Sequence, residues 1–321
     1  MEGTSKNVFL NIIWRFAERC GAQIVQFIVS IVVARILAPE AYGTVALITV
    51  FTTIFQVFVD SGLGNALIQK KDADDLDFST VFYTNIVFCI VLYIIIYFVS
   101  PIIANFYNDS SLTILIRVLS ITILISGLQN IQQAYVSKKL IFKKFFLSTI
   151  GGTIISAIVS IIMALKGMGV WSLIAQQLIN LSTGTIILWI TVKWRPKLQF
   201  SFERLKGLFS FGWKLLVSSL IDTVYNNIRQ LIIGKKYSSS DLAYYNKGKQ
   251  FPNLIINNVN IAIDSVLLPT MSNVQENREK VKNMTRKSIK ISVFIMAPLM
   301  MGLAFTSNNV IELLEDDSNI I

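Results

Sequence analysis

The sequence contains no histidine. That one absence removes His-dependent triads, His metal sites and His proton relays together. Cysteine is almost as scarce. Cys20 and Cys89 both lie in apolar stretches, where a free thiol behaves as a small packing residue, so a disulfide scaffold is not expected. Charge is thin as well. Asp, Glu, Lys and Arg together make 15% of the 321 residues, against about 25% in an ordinary soluble domain. A soluble fold of this size needs a polar skin, and there are too few polar residues to make one. The phosphate-loop pattern G-x-x-x-x-G-K-[ST] is missing, and no segment between apolar runs is large enough for a nucleotide-binding domain, so direct ATP use is not expected. No Cys/His metal cluster, no cofactor motif and no activated nucleophile is readable.

What is present is apolar. Hydrophobic residues reach 53%, with 21 Phe, and the mean hydropathy is +0.60. A bilayer core needs about 20 apolar residues per crossing helix. That window finds about nine transmembrane helices, at roughly 16–37, 43–60, 80–99, 112–133, 146–165, 169–192, 209–233, 251–270 and 288–306. The expected class is an all-α integral membrane protein. The first residues are polar and lead to no cleavage site, so the first span is expected to be a retained anchor.

The net charge of +10 does not form a stripe for nucleic acid. Lys and Arg sit in short segments between apolar runs. With the N-terminus in the cytoplasm, eighteen of them fall on inside segments and six on outside ones, as the positive-inside rule requires. The inside groups include Lys70, Lys71, Lys138, Lys139, Lys143, Lys144, Lys193, Arg195, Lys197, Arg204 and Lys206. A nine-span chain then ends outside.

A weak internal repeat occurs at a shift of about 200. Trp14-Arg15 resembles Trp213-Lys214, and Pro39-Glu40-Ala41-Tyr42-Gly43 resembles Ser240-Asp241-Leu242-Ala243-Tyr244. Spans one to three fall near spans seven to nine under the same shift. The expected organisation is one six-helix lobe over residues 1–200 and half of a second, pseudo-repeated lobe over 201–321. Repeats related by an axis along the membrane normal are a transporter habit.

Longer motifs carry a family resemblance. They are Trp14-Arg15-Phe16-Ala17-Glu18-Arg19, Ala34-Arg35-Ile36-Leu37-Ala38-Pro39-Glu40-Ala41-Tyr42-Gly43, Asp60-Ser61-Gly62-Leu63-Gly64-Asn65-Ala66-Leu67-Ile68-Gln69, Lys166-Gly167-Met168-Gly169-Val170-Trp171-Ser172-Leu173 and Tyr244-Tyr245-Asn246-Lys247-Gly248. Together they resemble the Wzx-type polysaccharide and O-antigen flippases of the multidrug/oligosaccharidyl-lipid/polysaccharide exporter superfamily, up to about Leu314. The resemblance implies two six-helix lobes around a central cavity. It implies a bacterial cytoplasmic-membrane protein that moves an undecaprenyl-pyrophosphate-linked oligosaccharide between leaflets by alternating access. Membrane lipids, a polysaccharide polymerase and chain-length proteins are the implied partners. Such relatives have 12 to 14 spans, so the chain reads as C-terminally truncated.

Charges inside a bilayer are expensive and so face a cavity or a partner. Arg15, Glu18 and Arg19 are spaced to share a helix face near the inner edge. They form either a cationic mouth for a lipid pyrophosphate or an interfacial group in which Glu18 pairs an arginine. In the seventh span Lys214, Ser218, Asp222, Tyr225 and Arg229 step by four, four, three and four, one polar stripe. Asp222 lies near its middle. The stripe either lines the cavity, with Asp222 carrying an ion or proton, or is a structural Lys214–Asp222–Arg229 network. In the eighth span Asn253, Asn257, Asn260 and Asp264 form a second row, suited to sugar hydroxyls or to interhelical hydrogen bonds. Arg117 reads as an outer-edge snorkeller or a cavity cation, and Gly151-Gly152 as a site of close helix packing. Two other functions stay open: a multidrug or small-molecule exporter on the same fold, and a membrane-embedded polymerase or glycosyltransferase.

Overall fold

A computed structural model describes residues 14, 18, 21–60, 63–70, 72–139, 141–272 and 278–309. These residues form helices and their connections, with no strand among them. In chain order the helices are α1 (Gly21–Ala34), α2 (Pro39–Asp60), α3 (Leu63–Gln69), α4 (Asp75–Tyr107), α5 (Ser111–Leu119), α6 (Ile121–Lys138), α7 (Lys143–Leu165), α8 (Val170–Thr191), α9 (Phe202–Lys236), α10 (Ser239–Ser272) and α11 (Arg278–Phe305).

Among the described residues, six helical runs are long and apolar enough to cross a membrane: Pro39–Val59, Asp75–Tyr107, Ser111–Lys138, Lys143–Leu165, Val170–Thr191 and Glu279–Phe305. The expected spans at 209–233 and 251–270 lie inside α9 and α10, which are helical but more polar. The first expected span is described in part, as α1 with helical Trp14 and Glu18 before it.

Burial is distributed as a membrane dictates. Aliphatic and aromatic side chains stand outward, including Val87, Phe98, Ile102, Ile158 and Ile190. Small hydroxyl residues stand inward, including Ser100, Ser148, Thr153, Ser156, Ser160, Ser172 and Thr185. Lipid is as apolar as Leu, so helices associate through close packing and short hydrogen bonds rather than through burial of oil. The α7–α8 pair has this form. Ser148 donates to the Gly184 carbonyl at 2.8 Å. A Cβ on Gly152 would stand 2.6 Å from the Asn180 carbonyl oxygen, so the two backbones nearly touch. Gly167 (φ 73°) and Gly169 (φ 54°) make the turn between them in the left-handed region that favours glycine.

Local signals set the ends of α4. Asp74 and Asp77 make a reciprocal capping box: the Asp77 N–H donates to Asp74 at 2.9 Å, and the Asp74 N–H donates to Asp77 at 3.2 Å. Asn108, at φ 58°, ends the helix in a left-handed cap. The Asp109 carboxylate then accepts from the Ser111 N–H and hydroxyl. The next span, expected as one helix at 112–133, jogs at Ser120 between α5 and α6.

The chain divides into two compact units, 1–243 and 244–321. The first holds α1 to α9 and the opening turn of α10. The second holds the rest of α10 and α11, with Pro298 inside α11. In the first unit α9 packs on α2, α3 and α4. The core of that unit has an aliphatic cluster around Ile48, Ile96, Ile116 and Ile123. A second, aromatic cluster surrounds Phe78, Phe82, Phe145 and Trp194.

Candidate functional site

The basic segments of the first unit gather at one end of the bundle, around a carboxylate that the sequence reading did not single out. Asp77 is fully buried and takes the Lys70 ammonium at 2.7 and 2.6 Å on its two oxygens. The Arg204 guanidinium lies 3.4 Å from the same carboxylate. Asp74 lies 3.6 Å from Arg204. The backbone N–H of Asp77, first, and then Arg204 and Lys70 hold the Asp74 carboxyl below the usual range, against an opposing effect of burial that is larger than that of either cation alone. Lys138 donates to the carbonyls of Leu67 and Lys70. Lysines and arginines that hydropathy counting treats as topology markers thus bind α3, α4, α6 and α9 together.

The extended connection 192–201 is clamped at this end. Gln132 donates to the Trp194 carbonyl at 3.3 Å. The Lys197 and Ser201 N–H groups donate to Ser79 and Thr80 at 3.0 and 3.1 Å. The Trp194 ring stacks on Tyr135, and Lys197 pairs with Asp75 at 2.7 Å. Arg195 turns back onto the carbonyls of Trp189, Val192 and Trp194.

From this clamp α9 runs 35 residues, about 52 Å at about 1.5 Å per residue, to the opposite end. There Tyr107 donates to the Leu231 carbonyl at 3.2 Å. Lys235 donates to the Phe106 carbonyl and covers the Phe106 ring at 4.3 Å. Between the two attachments one side of α9 stays open. Lys214, Ser218, Asp222, Tyr225 and Arg229 are all exposed on it, Tyr225 at 71%. An adjoining strip of Trp213, Val217, Ile221, Val224 and Ile228 is exposed too. Among the described residues Lys214, Asp222 and Arg229 form no ion pair. They lie about two turns apart, too far to pair with one another along a helix. The stripe is therefore one continuous open polar face, and no internal Lys214–Asp222–Arg229 network is formed.

The other expected residues are distributed differently. Glu18 is buried and accepts from the Thr149 hydroxyl at 2.9 Å. Trp14 meets Phe146 edge-on, with Lys143 over its ring at 5.5 Å. The start of the first span is thus held on α7. Arg15 and Arg19 lie outside the described residues, as do the side chains of Asn257, Asn260 and Asp264. Arg117 is neither a free snorkeller nor an open cation. It donates to the Tyr97 carbonyl and the Ser100 hydroxyl at 3.2 and 3.0 Å, and its guanidinium covers the Tyr97 ring at 3.8 Å.

Solved structures share this fold. The chain matches an inward-facing multidrug resistance MATE transporter of the MOP superfamily with a TM-score of 0.69 at 17% identity, over 91% of this chain and 72% of that one. It matches the lipid II flippase MurJ in an inward closed conformation with a TM-score of 0.72 at 18% identity, over 95% and 67%. Among curated relatives, the teichuronic acid biosynthesis protein TuaB of Bacillus subtilis is 30% identical over 80% of this chain and 54% of its own length. The succinoglycan biosynthesis transport protein ExoT of Rhizobium meliloti is 22% identical over 93% and 60%. The lipopolysaccharide biosynthesis protein WzxC of Escherichia coli is 23% identical over 88% and 58%. The chain spans little more than half the length of these relatives. Residues 32–316 match the family described as polysaccharide biosynthesis protein, and the chain belongs to that family.

Proposed function

We propose that the chain is the larger part of a flippase that carries an undecaprenyl-pyrophosphate-linked oligosaccharide across the bacterial cytoplasmic membrane for surface polysaccharide synthesis. The observation that carries this reading is the open polar face of α9. Five polar side chains, two of them cationic, stand exposed along a helix of a transporter fold. Lys214 and Arg229 suit a pyrophosphate, while Ser218, Tyr225 and Asp222 suit sugar hydroxyls. The names of the relatives support the same class, since they serve teichuronic acid, succinoglycan and lipopolysaccharide synthesis. The work is transport, with no bond made or broken by the chain. The lobes divide near residue 200, and each half of the cycle opens the polar face to one side. From the sequence pattern alone, Arg15, Arg19, Asn257 and Asp264 are further candidates for contact with the cargo. A polymerase and a chain-length protein are the expected partners downstream.

The basic end is cytoplasmic in this reading, by the positive-inside rule. The test joins residues 1–314 to the remaining C-terminal part of a full-length relative, in cells lacking their own flippase. Restored surface polysaccharide, lost in Asp222→Ala with the protein still in the membrane, is the expected result. Normal polysaccharide with Asp222→Ala removes the residue from the path. Restored drug efflux without polysaccharide points instead to a small-molecule exporter.

A further inference from the structure

The early turns of α11 carry charge of one sign. Over residues 279–305 Glu279 is the one acidic residue, against Lys280, Lys282, Arg286, Lys287 and Lys290. These cations fall within about 160° of the helix circumference, at about 100° per residue. All are exposed, while Val281, Met284, Ser288 and Ser292 are half-buried on the other side. Lys282, Arg286 and Lys290 step by four, so each stands over the next. Like charges at that spacing oppose a helix. Among the described residues Lys282, Arg286, Lys287 and Lys290 form no ion pair, so the repulsion between them is not offset by a carboxylate there.

The same side of α11 turns apolar where the span begins. Val293, Phe294, Met301 and Phe305 lie on the cationic arc, Phe294 at 82% and Phe305 at 90% exposure. From Ile291 to Phe305 the helix rises about 22 Å, short of the roughly 30 Å of a bilayer core. Lys287 and Lys290 therefore stand at the edge of the hydrocarbon and reach the headgroups through their apolar stems. Arg286, Lys282 and Lys280 lie about 6 to 15 Å beyond Lys290 along the axis, through the headgroup layer.

We propose that this face of α11 is a binding site for an anionic phospholipid. The lipid phosphate meets the cationic ridge and the acyl chains lie along Phe294 and Phe305, so one molecule satisfies both parts of the face. Arg286 offers a planar fork to the phosphate, and Lys282 and Lys290 add a point charge one turn to either side. An acidic soluble protein would match the charge but not its apolar continuation. The inference needs α11 to cross a bilayer, as its length and composition allow, and does not depend on the cargo.

The test purifies the full chain in mild detergent with equal amounts of phosphatidylglycerol and phosphatidylcholine, and counts the retained lipids by native mass spectrometry. Each cation near an anionic headgroup contributes about a fivefold change in affinity. The expected result is a preference for phosphatidylglycerol of about tenfold or more, falling to about twofold in the combined variant Lys282→Gln, Arg286→Gln, Lys290→Gln. The combination Lys282→Arg, Arg286→Lys, Lys290→Arg keeps the charge and should keep the preference. The combination Lys139→Gln, Lys193→Gln, Lys206→Gln removes the same charge from exposed lysines elsewhere and should keep it too. An equal loss in that control would mean that bulk charge, and no site on α11, attracts the lipid. No preference in the unaltered chain overturns the proposal and leaves an acidic protein as the occupant of the ridge. Displacement of the lipid by an equal concentration of inorganic phosphate would overturn it as well, since the ridge would then bind the ion without the acyl chains. No polysaccharide is measured, so a wrong assignment of cargo leaves this result standing.

Discussion

Arg117 occupies the place that Pro101 leaves empty. Proline at 101 has no N–H to return to the Tyr97 carbonyl four residues earlier in α4. The Ser100 hydroxyl donates to that oxygen at 2.9 Å and Arg117 Nε at 3.2 Å, which uses both of its lone pairs. Arg117→Ala is expected to lower stability by about 1–2 kcal/mol, read as thermal unfolding in detergent. Pro101→Ala restores the helical hydrogen bond, so Arg117→Ala should be milder in that background. A coupling of about 0.5–1 kcal/mol is expected from the double-mutant cycle. Strict additivity would show that Arg117 does not serve the carbonyl at the proline.

Asp77 should be the residue on which the basic end depends. Its removal leaves Lys70 and Arg204 without their carboxylate and takes half of the α4 capping box with it. Both cations keep some access to water, at 30% and 40% side-chain exposure. The loss therefore falls below the roughly 3–5 kcal/mol of a fully buried pair. About 2 kcal/mol is expected for Asp77→Ala, and less for Asp77→Asn, whose amide oxygen still caps. The connection 192–201 leads into α9, which Asp77 anchors through Arg204, and it offers trypsin Lys193 and Lys197, Arg195 being shielded by Pro196, so trypsin should cut there faster in Asp77→Ala. Unchanged cleavage would mean that Trp194 and its aromatic neighbours hold the connection alone.

Hydropathy and spacing made the membrane class and the α9 stripe legible, because both are local patterns. Lys214, Ser218, Asp222, Tyr225 and Arg229 lie on one face by helix geometry alone, whatever packs around them. The Asp77 cluster had no such signature. Its partners lie 7 and 127 residues away, and Lys70 and Arg204 had already been accounted for as topology charges. The Asp74-x-x-Asp77 spacing of a capping box was the one local cue. Glu18 shows the same limit. Its neighbours in sequence are arginines, and nothing local announced that Thr149, on α7, also donates to it. The jog at Ser120 was hidden because an apolar run reads alike whether the helix in it is straight or broken.

The adjacent pair Gly151 and Gly152 should respond unequally to one added methyl group. Both lie in α7 and both face α8. A Cβ on Gly151 would meet only the Ile187 Cδ1 atom, at 2.5 Å. That atom is the end of a side chain able to change rotamer, and Ala gains roughly 0.5–1 kcal/mol over Gly inside a helix. Gly151→Ala is therefore expected to be near neutral. A Cβ on Gly152 would meet the Asn180 carbonyl oxygen at 2.6 Å and the Gly184 nitrogen at 3.4 Å. Backbone cannot rotate away, so the helices must part. Parting strains the hydrogen bond from Ser148 to Gly184 one turn off. Gly152→Ala is expected to lose about 1–3 kcal/mol, and Gly152→Val more, measured by thermal unfolding of purified protein. Equal behaviour at the two positions would mean that α7 and α8 pack through side chains, not backbone to backbone.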